Sequence, residues 1–525
     1  MPSRRSILSQ TVLVSVLSFG GLIAGFASSL VVAYLYGASH ARDSFLLAMV
    51  IPSYVTSVFS GVFALMFTPI FIDYQTRDRQ RAWQIASSVV CTSGVALSVV
   101  ALAGVVLARV LASWLSPGHS SMDQELLRHL LQVMMPSVFF SGIAGLFSSL
   151  HYAEHRFAGP TIAPIVSTVV TVLVNITFHR SWGVLSLAVG VTLGSLVSAS
   201  MLAVGVVGRG NLAFRFDLRD DGLRRVFRAS LPLFLAGLIY RFNSGFERMI
   251  GATLPTGSIS YLGYATTATM VFTALTSTGV ATTIFPLLAR SWAERDFPSL
   301  RRYLAIGVRT ILLVALPIVA VVLVFGSTMV AVVYERGAFD HKTTTAVAWS
   351  LSLLMANYVA SNLGTVVAKP FYVAQRTTFL AAYNVFETLL YLGWALVLSR
   401  RYSYLGLAAA ASLRDTFSVL LYLFLVSRLF HGIDARVMVR DTLKIASSAV
   451  LLLLTAAVLR YGLTGLIAPI VVMIAATAIG GGVYGFMILR VFRIPEAVRL
   501  LDAAAVRAPF LQRWAAALRS RSSAP

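Results

Sequence analysis

A single cysteine in 525 residues, Cys91, rules out an internal disulfide and a thiolate metal cluster. Lysine is nearly as scarce, with only Lys342, Lys369 and Lys444 standing against a large arginine population. Charged residues of all kinds make up 12% of the chain, about half the share carried by a soluble domain. Catalytic signatures are missing as well. There is no H-E-x-x-H and no G-x-x-x-x-G-K-[ST], so neither zinc-protease chemistry nor P-loop ATP hydrolysis is supported. No stretch between apolar runs is long enough for a separate catalytic domain. The expectation is a protein that is not an enzyme and holds no cofactor or metal.

What the chain has in abundance is apolar sequence: 58% of its residues are hydrophobic. A membrane-spanning helix needs about 20 apolar residues, and such stretches follow one another from Gln10 to Arg490. In hydrocarbon the backbone must satisfy its own hydrogen bonds, which leaves helices or a closed barrel. These runs are too long and continuous for the alternating strands of a barrel. The expected fold is therefore an all-α polytopic membrane protein with about fourteen transmembrane helices. The first run continues from behind Arg4 and Arg5 to Tyr36 without a small-x-small cleavage site, so it reads as a retained first helix.

The net charge of +22 does not point to nucleic acid, because the basic residues are scattered over short loops between apolar runs. Fourteen spans place both termini on one side. That side then holds 29 of the 42 lysines and arginines and the other side eight, an asymmetry that a wrong helix count would scramble. By the positive-inside rule both termini face the cytoplasm, and the expected location is a bacterial inner membrane. The end of the chain, from Arg490 to Arg521, alternates arginine with apolar residues and Trp514. It reads as a basic amphipathic helix on the cytoplasmic leaflet.

A weak internal repeat is visible. Phe67-Thr-Pro69, followed by a charged loop, parallels Ile284-Phe-Pro286. Tyr152-Ala-Glu-His-Arg156 parallels Tyr372-Val-Ala-Gln-Arg376 at nearly the same offset. The reading is two pseudo-symmetric six-helix lobes, 1–210 and 211–430, then two further helices over 431–490 and a cytoplasmic tail over 491–525. Transporters built from such halves rock around a central site.

Charges inside a bilayer cost roughly 2.5–3.5 kcal/mol each and mark a pathway or a pair. Here they are few. The seventh span carries Arg241, Glu247 and Arg248, the eleventh Glu387, and the twelfth the adjacent Arg414 and Asp415. Arg241 and Arg414 are candidates to grip a pyrophosphate, which guanidinium recognises through paired hydrogen bonds. Glu247, Glu387 and Asp415 are candidates to neutralise them or to bind a coupling H⁺ or Na⁺. Simple buried pairs, Arg241–Glu387 or Arg414–Asp415, are the alternative. Arg109 and Arg309 lie nearer span ends and are expected to snorkel to the interface.

Particular residues carry a family resemblance. The series Gly25-Phe26, Tyr36-Gly37-Ala38, Asp43-Ser-Phe45, Ile51-Pro52 and Phe67-Thr-Pro69 resembles the opening of the MurJ/MviN-type lipid II flippases. Tyr334-Glu-Arg-Gly337-Ala338-Phe339 and Pro370-Phe371-Tyr372 extend the likeness through the twelfth span. The resemblance implies the multidrug/oligosaccharidyl-lipid/polysaccharide exporter fold and a cationic cavity that moves a lipid-linked saccharide between leaflets. Asp43 and Arg248 join Arg241 and Arg414 as cavity candidates. Membrane lipids are expected partners, and cell-envelope synthesis proteins are candidate ones. The chain also departs from the family. Where the family usually has arginines in spans 1, 2 and 8, Leu22, Ser28, Thr56 and Thr267 stand. A surface-polysaccharide exporter acting on an oligosaccharide-lipid and a cation or drug antiporter therefore remain alternative readings.

Overall fold

A computed structural model describes residues 4–117, 121–207, 212–213, 215–276, 278–375, 377–429 and 435–498. Among the described residues the secondary structure is helical, apart from one isolated bridge between Thr464 and Ile467. The chain forms two compact units: residues 1–261 with 336–343, and residues 262–335 with 344–525.

The first unit contains α1 (Arg4–Tyr36), α2 (His40–Ala48), α3 (Val50–Arg77), α4 (Arg79–Val106), α5 (Ala108–Leu115), α6 (Ser121–Met134), α7 (Pro136–Ala153), α8 (Ala158–Trp182), α9 (Leu185–Val207) and α10 (Asp221–Ala252). Its breaks follow local chemistry. Asp78 ends α3 and caps α4, accepting the N–H groups of Gln80 and Arg81 at 2.9 and 3.1 Å. Asp220 caps α10 through Gly222 and Leu223. Its buried carboxylate also meets Arg81 at 2.9 Å, so the charged loop after α3 pins the start of α10.

Lipid is as apolar as leucine, so these helices associate by close fit more than by escape from water. On α3, Phe59, Phe63, Phe67 and Phe71 recur every fourth residue and are buried, and Phe71 meets Trp83 of α4 edge-on at 5.4 Å. Gly190 and Gly194 let α9 approach α8 closely. A Cβ on Gly194 would lie 2.5 Å from the Ser167 carbonyl oxygen, and Thr171 donates its hydroxyl to the Gly190 carbonyl at 3.0 Å.

Residues 336–343 return to this unit after the chain has left it. Gly37 and Gly337 both take positive φ, 53° and 62°. A Cβ on Gly37 would strike the Ala338 carbonyl, and one on Gly337 would strike that of Tyr34. The Ala338 N–H donates to the Tyr34 carbonyl at 2.8 Å, and Phe339 is buried beside it. Two motif stretches far apart in sequence are thus pressed backbone to backbone, which explains their glycines.

α11 (Ser258–Thr276) begins in the first unit and runs into the second, which holds α12 (Thr278–Ala293), α13 (Phe297–Tyr334), α14 (His341–Val367) beyond its first three residues, α15 (Lys369–Val373), α16 (Thr377–Leu429), α17 (Ala435–Leu463) and α18 (Pro469–Phe486), which ends in a π turn at Met487–Val491. The 53-residue α16 is two helices joined at Ser403, whose φ of 55° and ψ of −137° are not helical.

Eleven helices among the described residues are long and apolar enough to cross a membrane, three fewer than the expected fourteen. The reasons lie in particular segments. The span Ala382–Arg428 is counted once although it contains the Ser403 break. Neither α10, with its many charges, nor the α11–α12 stretch is among the eleven. Two local backbone features recur at one offset. His155 and Gln375 share positive φ (57° and 55°), and Gly183 (φ 53°, ψ −135°) matches Ser403, both pairs at an offset of 220 residues.

Candidate functional site

The second unit draws three of the sequence-predicted residues into one cluster. Arg414 and Asp415 follow each other on α16, and Glu387 comes from the same element before the Ser403 break. The Arg414 Nε donates to Asp415 Oδ1 at 2.6 Å and lies 3.6 Å from Glu387 Oε1. Its guanidinium sits over the Tyr391 ring, 5.1 Å from the centroid. Side-chain exposure falls from 21% at Arg414 to 19% at Glu387 and 12% at Asp415, so water does little of the solvation.

Neutral partners supply the rest. Ser418, one turn beyond Arg414, donates to Glu387 Oε1 at 2.9 Å. Asn357 of α14 donates to Asp415 Oδ2 at 2.7 Å, and its own N–H reaches the Ser412 hydroxyl at 3.2 Å. Asn357, Ser418 and Tyr391 were not singled out from the sequence. The available signal was an amide inside an apolar span and a serine at helical spacing from Arg414. With both carboxylates ionised the cluster is two negative charges around one positive. Arg414 is the cation between the carboxylates, so gripping an outside anion requires one of them to let go.

Asp43 has a different setting. Its Oδ2 accepts the Gly257 N–H at 2.6 Å, while Oδ1 accepts the Ser260 N–H at 2.8 Å and the Ser260 hydroxyl at 2.5 Å. It caps the start of α11 from α2, and Arg42 beside it donates to the Ser260 carbonyl at 3.4 Å. Arg248 donates to the Leu46 carbonyl at 2.8 Å, tying α10 to α2. Both residues were expected in a cavity; Asp43 lines a small pocket with His40, Ser44 and Asp123, and the contacts of both also tie helices together. Glu247 sits half-buried beside Arg248 on α10.

The Arg241 side chain lies outside the described residues. Its helix, α10, belongs to the first compact unit, whereas Arg414 belongs to the second. Arg109, expected at an interface, is exposed on α5. Arg309 departs from that expectation. It is 15% exposed and bridges Asp441 of α17 at 2.7 Å and Glu496, beyond α18, at 3.0 Å. Two carboxylates that the sequence does not place near it hold it inside. At the positions where the resemblance leads one to expect arginines, Thr56 and Thr267 fold their hydroxyls back onto the carbonyls of Pro52 and Gly263, and Leu22 is exposed. Among the described residues no group of three or more His, Cys, Asp or Glu is arranged to hold a metal ion.

Comparison with known proteins gives concordant results. The sequence model of the family described as "Lipid II flippase MurJ" matches residues 32–479. A relative from Vibrio cholerae, named probable lipid II flippase MurJ, is 23% identical over 424 residues, covering 78% of this chain and 81% of its own. Among solved structures, a lipid II flippase MurJ in an inward closed conformation superposes with a TM-score of 0.77 at 18% identity, covering 91% of this chain and all of that one. An inward-facing MATE-family multidrug transporter of the MOP superfamily superposes at 0.66 with 14% identity, covering 80% of this chain and 98% of its own.

Proposed function

The chain belongs to the lipid II flippase MurJ family, and from that premise we propose that it carries an undecaprenyl-pyrophosphate-linked cell-envelope precursor, lipid II or a related lipid-linked saccharide, from the cytoplasmic to the outer leaflet by alternating access. It works as a transporter in the bacterial inner membrane with both termini cytoplasmic, as the arginine asymmetry of its loops supports. The observation that carries the reading is the family match across almost the whole membrane-spanning part of the chain.

The Glu387–Arg414–Asp415 cluster supplies the working parts. In the resting arrangement Arg414 is held by its two carboxylates. A coupling cation, H⁺ or Na⁺, taken up by Glu387 or Asp415 neutralises the excess negative charge and frees Arg414 for a phosphate oxygen. Moving an unneutralised charge through the inside-negative potential is worth roughly 2.3 kcal/mol per 100 mV. For an anionic headgroup moving outward this acts in the direction of export. Arg241 is proposed as a phosphate ligand on the strength of the sequence alone.

A second reading has its own observation. Leu22, Ser28, Thr56 and Thr267 stand where the family's usual arginines are expected, which favours a lipid-linked saccharide other than lipid II, as in surface-polysaccharide export. Complementation of a strain depleted of its lipid II flippase separates the two. Growth rescue by the wild-type chain, lost in Arg414→Ala, is the expected outcome. Failure to rescue despite full membrane insertion overturns the lipid II assignment and supports the polysaccharide reading.

A further inference from the structure

Apart from the intramembrane charges, the first unit has a cavity of about 420 Å³ where α1, the α7–α8 turn and α9 meet. Its lining combines the basic residues His151, His155 and Arg156 with the apolar Leu13, Val14, Met201 and Leu202.

The basic part is built in detail. His151 is 7% exposed, and its ring fills room left by glycines: a Cβ on Gly205 would come within 2.7 Å of its Cε1. Its Nε2 lies 3.2 Å from the Leu202 carbonyl oxygen. A carbonyl only accepts, so the Nε2 N–H is the donor of this contact. One turn on, the left-handed backbone of His155 ends α7 and brings His155 and Arg156, both exposed, to the cavity rim. Then α8 begins without a side-chain cap, and its N-terminal dipole adds positive potential to the three basic groups. The neighbouring acid, Glu154, holds Arg156 loosely at 3.7 Å.

We propose that this cavity binds the phosphate of an anionic phospholipid, with an acyl chain lying along Leu13, Val14, Met201 and Leu202. A phosphodiester supplies the acceptors that guanidinium and imidazole N–H groups need. An inorganic ion would leave the apolar lining unused, and for that reason a lipid is the occupant. By the sorting of its loops, the turn that carries Arg156 falls on the arginine-rich side, where anionic lipid is drawn to basic segments.

The test uses the full-length protein in phosphatidylcholine nanodiscs doped with a photoreactive phosphatidylglycerol, with adducts mapped by peptide mass spectrometry. Adducts on the peptides holding residues 13–14 and 201–202 are expected, displaced by unlabelled phosphatidylglycerol. The double variant His155→Asn/Arg156→Gln should lower their yield at limiting lipid by at least about fivefold, the effect of one cation near a membrane surface. Asparagine tolerates the left-handed backbone, and an unchanged melting temperature verifies the fold. Arg436→Gln/Arg440→Gln, on the basic face of α17, should leave the yield unchanged. An adduct that survives the first double variant, or forms equally well with photoreactive phosphatidylcholine, overturns the proposal. Displacement by millimolar inorganic phosphate as effective as by lipid overturns the choice of a lipid occupant. Because transport is not the readout, this result and that of the complementation stand apart.

Discussion

Asp43 in the first unit and the Glu387–Asp415 pair in the second are carboxylates set in apolar helices, and they are satisfied in different ways. Asp43 takes two backbone N–H groups and one hydroxyl, all from the start of α11. Backbone donors cannot swing away without unwinding the helix, so this carboxylate is a fixed joint. Glu387 and Asp415 depend on one shared guanidinium, a serine and an asparagine. Side-chain donors change rotamer within the existing fold, and one cation for two anions leaves the group open to a proton or a metal cation. Burial alone does not separate the two settings; the kind of donor that satisfies each carboxylate does.

The largest effect that tests this contrast comes from Arg414→Ala. It leaves two buried carboxylates without their cation, a loss of about 3–5 kcal/mol, read as a lower melting temperature in detergent and failed complementation. Combining Glu387→Gln with Arg414→Gln should recover much of the melting temperature and none of the transport. Recovery of both would make the cluster a structural pair like Asp43 and break the contrast.

Asp43→Ala comes next, at about 2–3 kcal/mol for the orphaned donors. Transport per correctly folded molecule, measured in proteoliposomes, should stay near wild type. Loss of transport at full folding would return Asp43 to the functional side.

Smaller still is the gain expected at the repeated turns. Ser403 adopts the conformation that Gly183 adopts 220 residues earlier, in a region costly for any residue with a Cβ. Its hydroxyl is also buried without a hydrogen-bond partner. Ser403→Gly should raise stability by about 1 kcal/mol, and Gly183→Ser should lower it; a melting experiment on the two reciprocal variants decides.

The smallest effect belongs to a carboxylate at the end of a helix, partly exposed and bonded to backbone. Asp296 caps α13, and the Ser299 hydroxyl, then its N–H, holds the Asp296 carboxyl below its usual range. A depressed value means that the stabilisation is complete above about pH 4, the ordinary aspartate value, and disappears as pH falls through the lowered one. The melting temperature of Asp296→Ala should therefore sit slightly below wild type at neutral pH and converge with it in acid.

Much of the architecture was legible because lipid forces backbone to hydrogen-bond within each segment, which turns apolar length into helices directly. The adjacency of Arg414 and Asp415 was legible for the same local reason. The sequence alone left open which arginine Glu387 would meet, and the structure gives it Arg414. The fate of Arg309 was illegible: an interfacial reading needs only its own span, whereas its partner Asp441 lies 132 residues on. The partners of Asp43 lie 214 and 217 residues away, so its sequence context resembled that of a cavity acid. Local rules find the charge; only tertiary packing says whether it is spent.

The contact between Gly37 and Ala338 also sets an order of events in biosynthesis. The first unit is finished by residues 336–343, which are translated after the whole of α13. Until the ribosome has passed Thr343, α1 has no partner for the backbone of Tyr34. The amino-terminal half must therefore wait in the membrane, assembled but unsealed, while the other half is begun. A truncation before residue 336 would strand it in that state, with the Tyr34 carbonyl deprived of the N–H that Ala338 supplies.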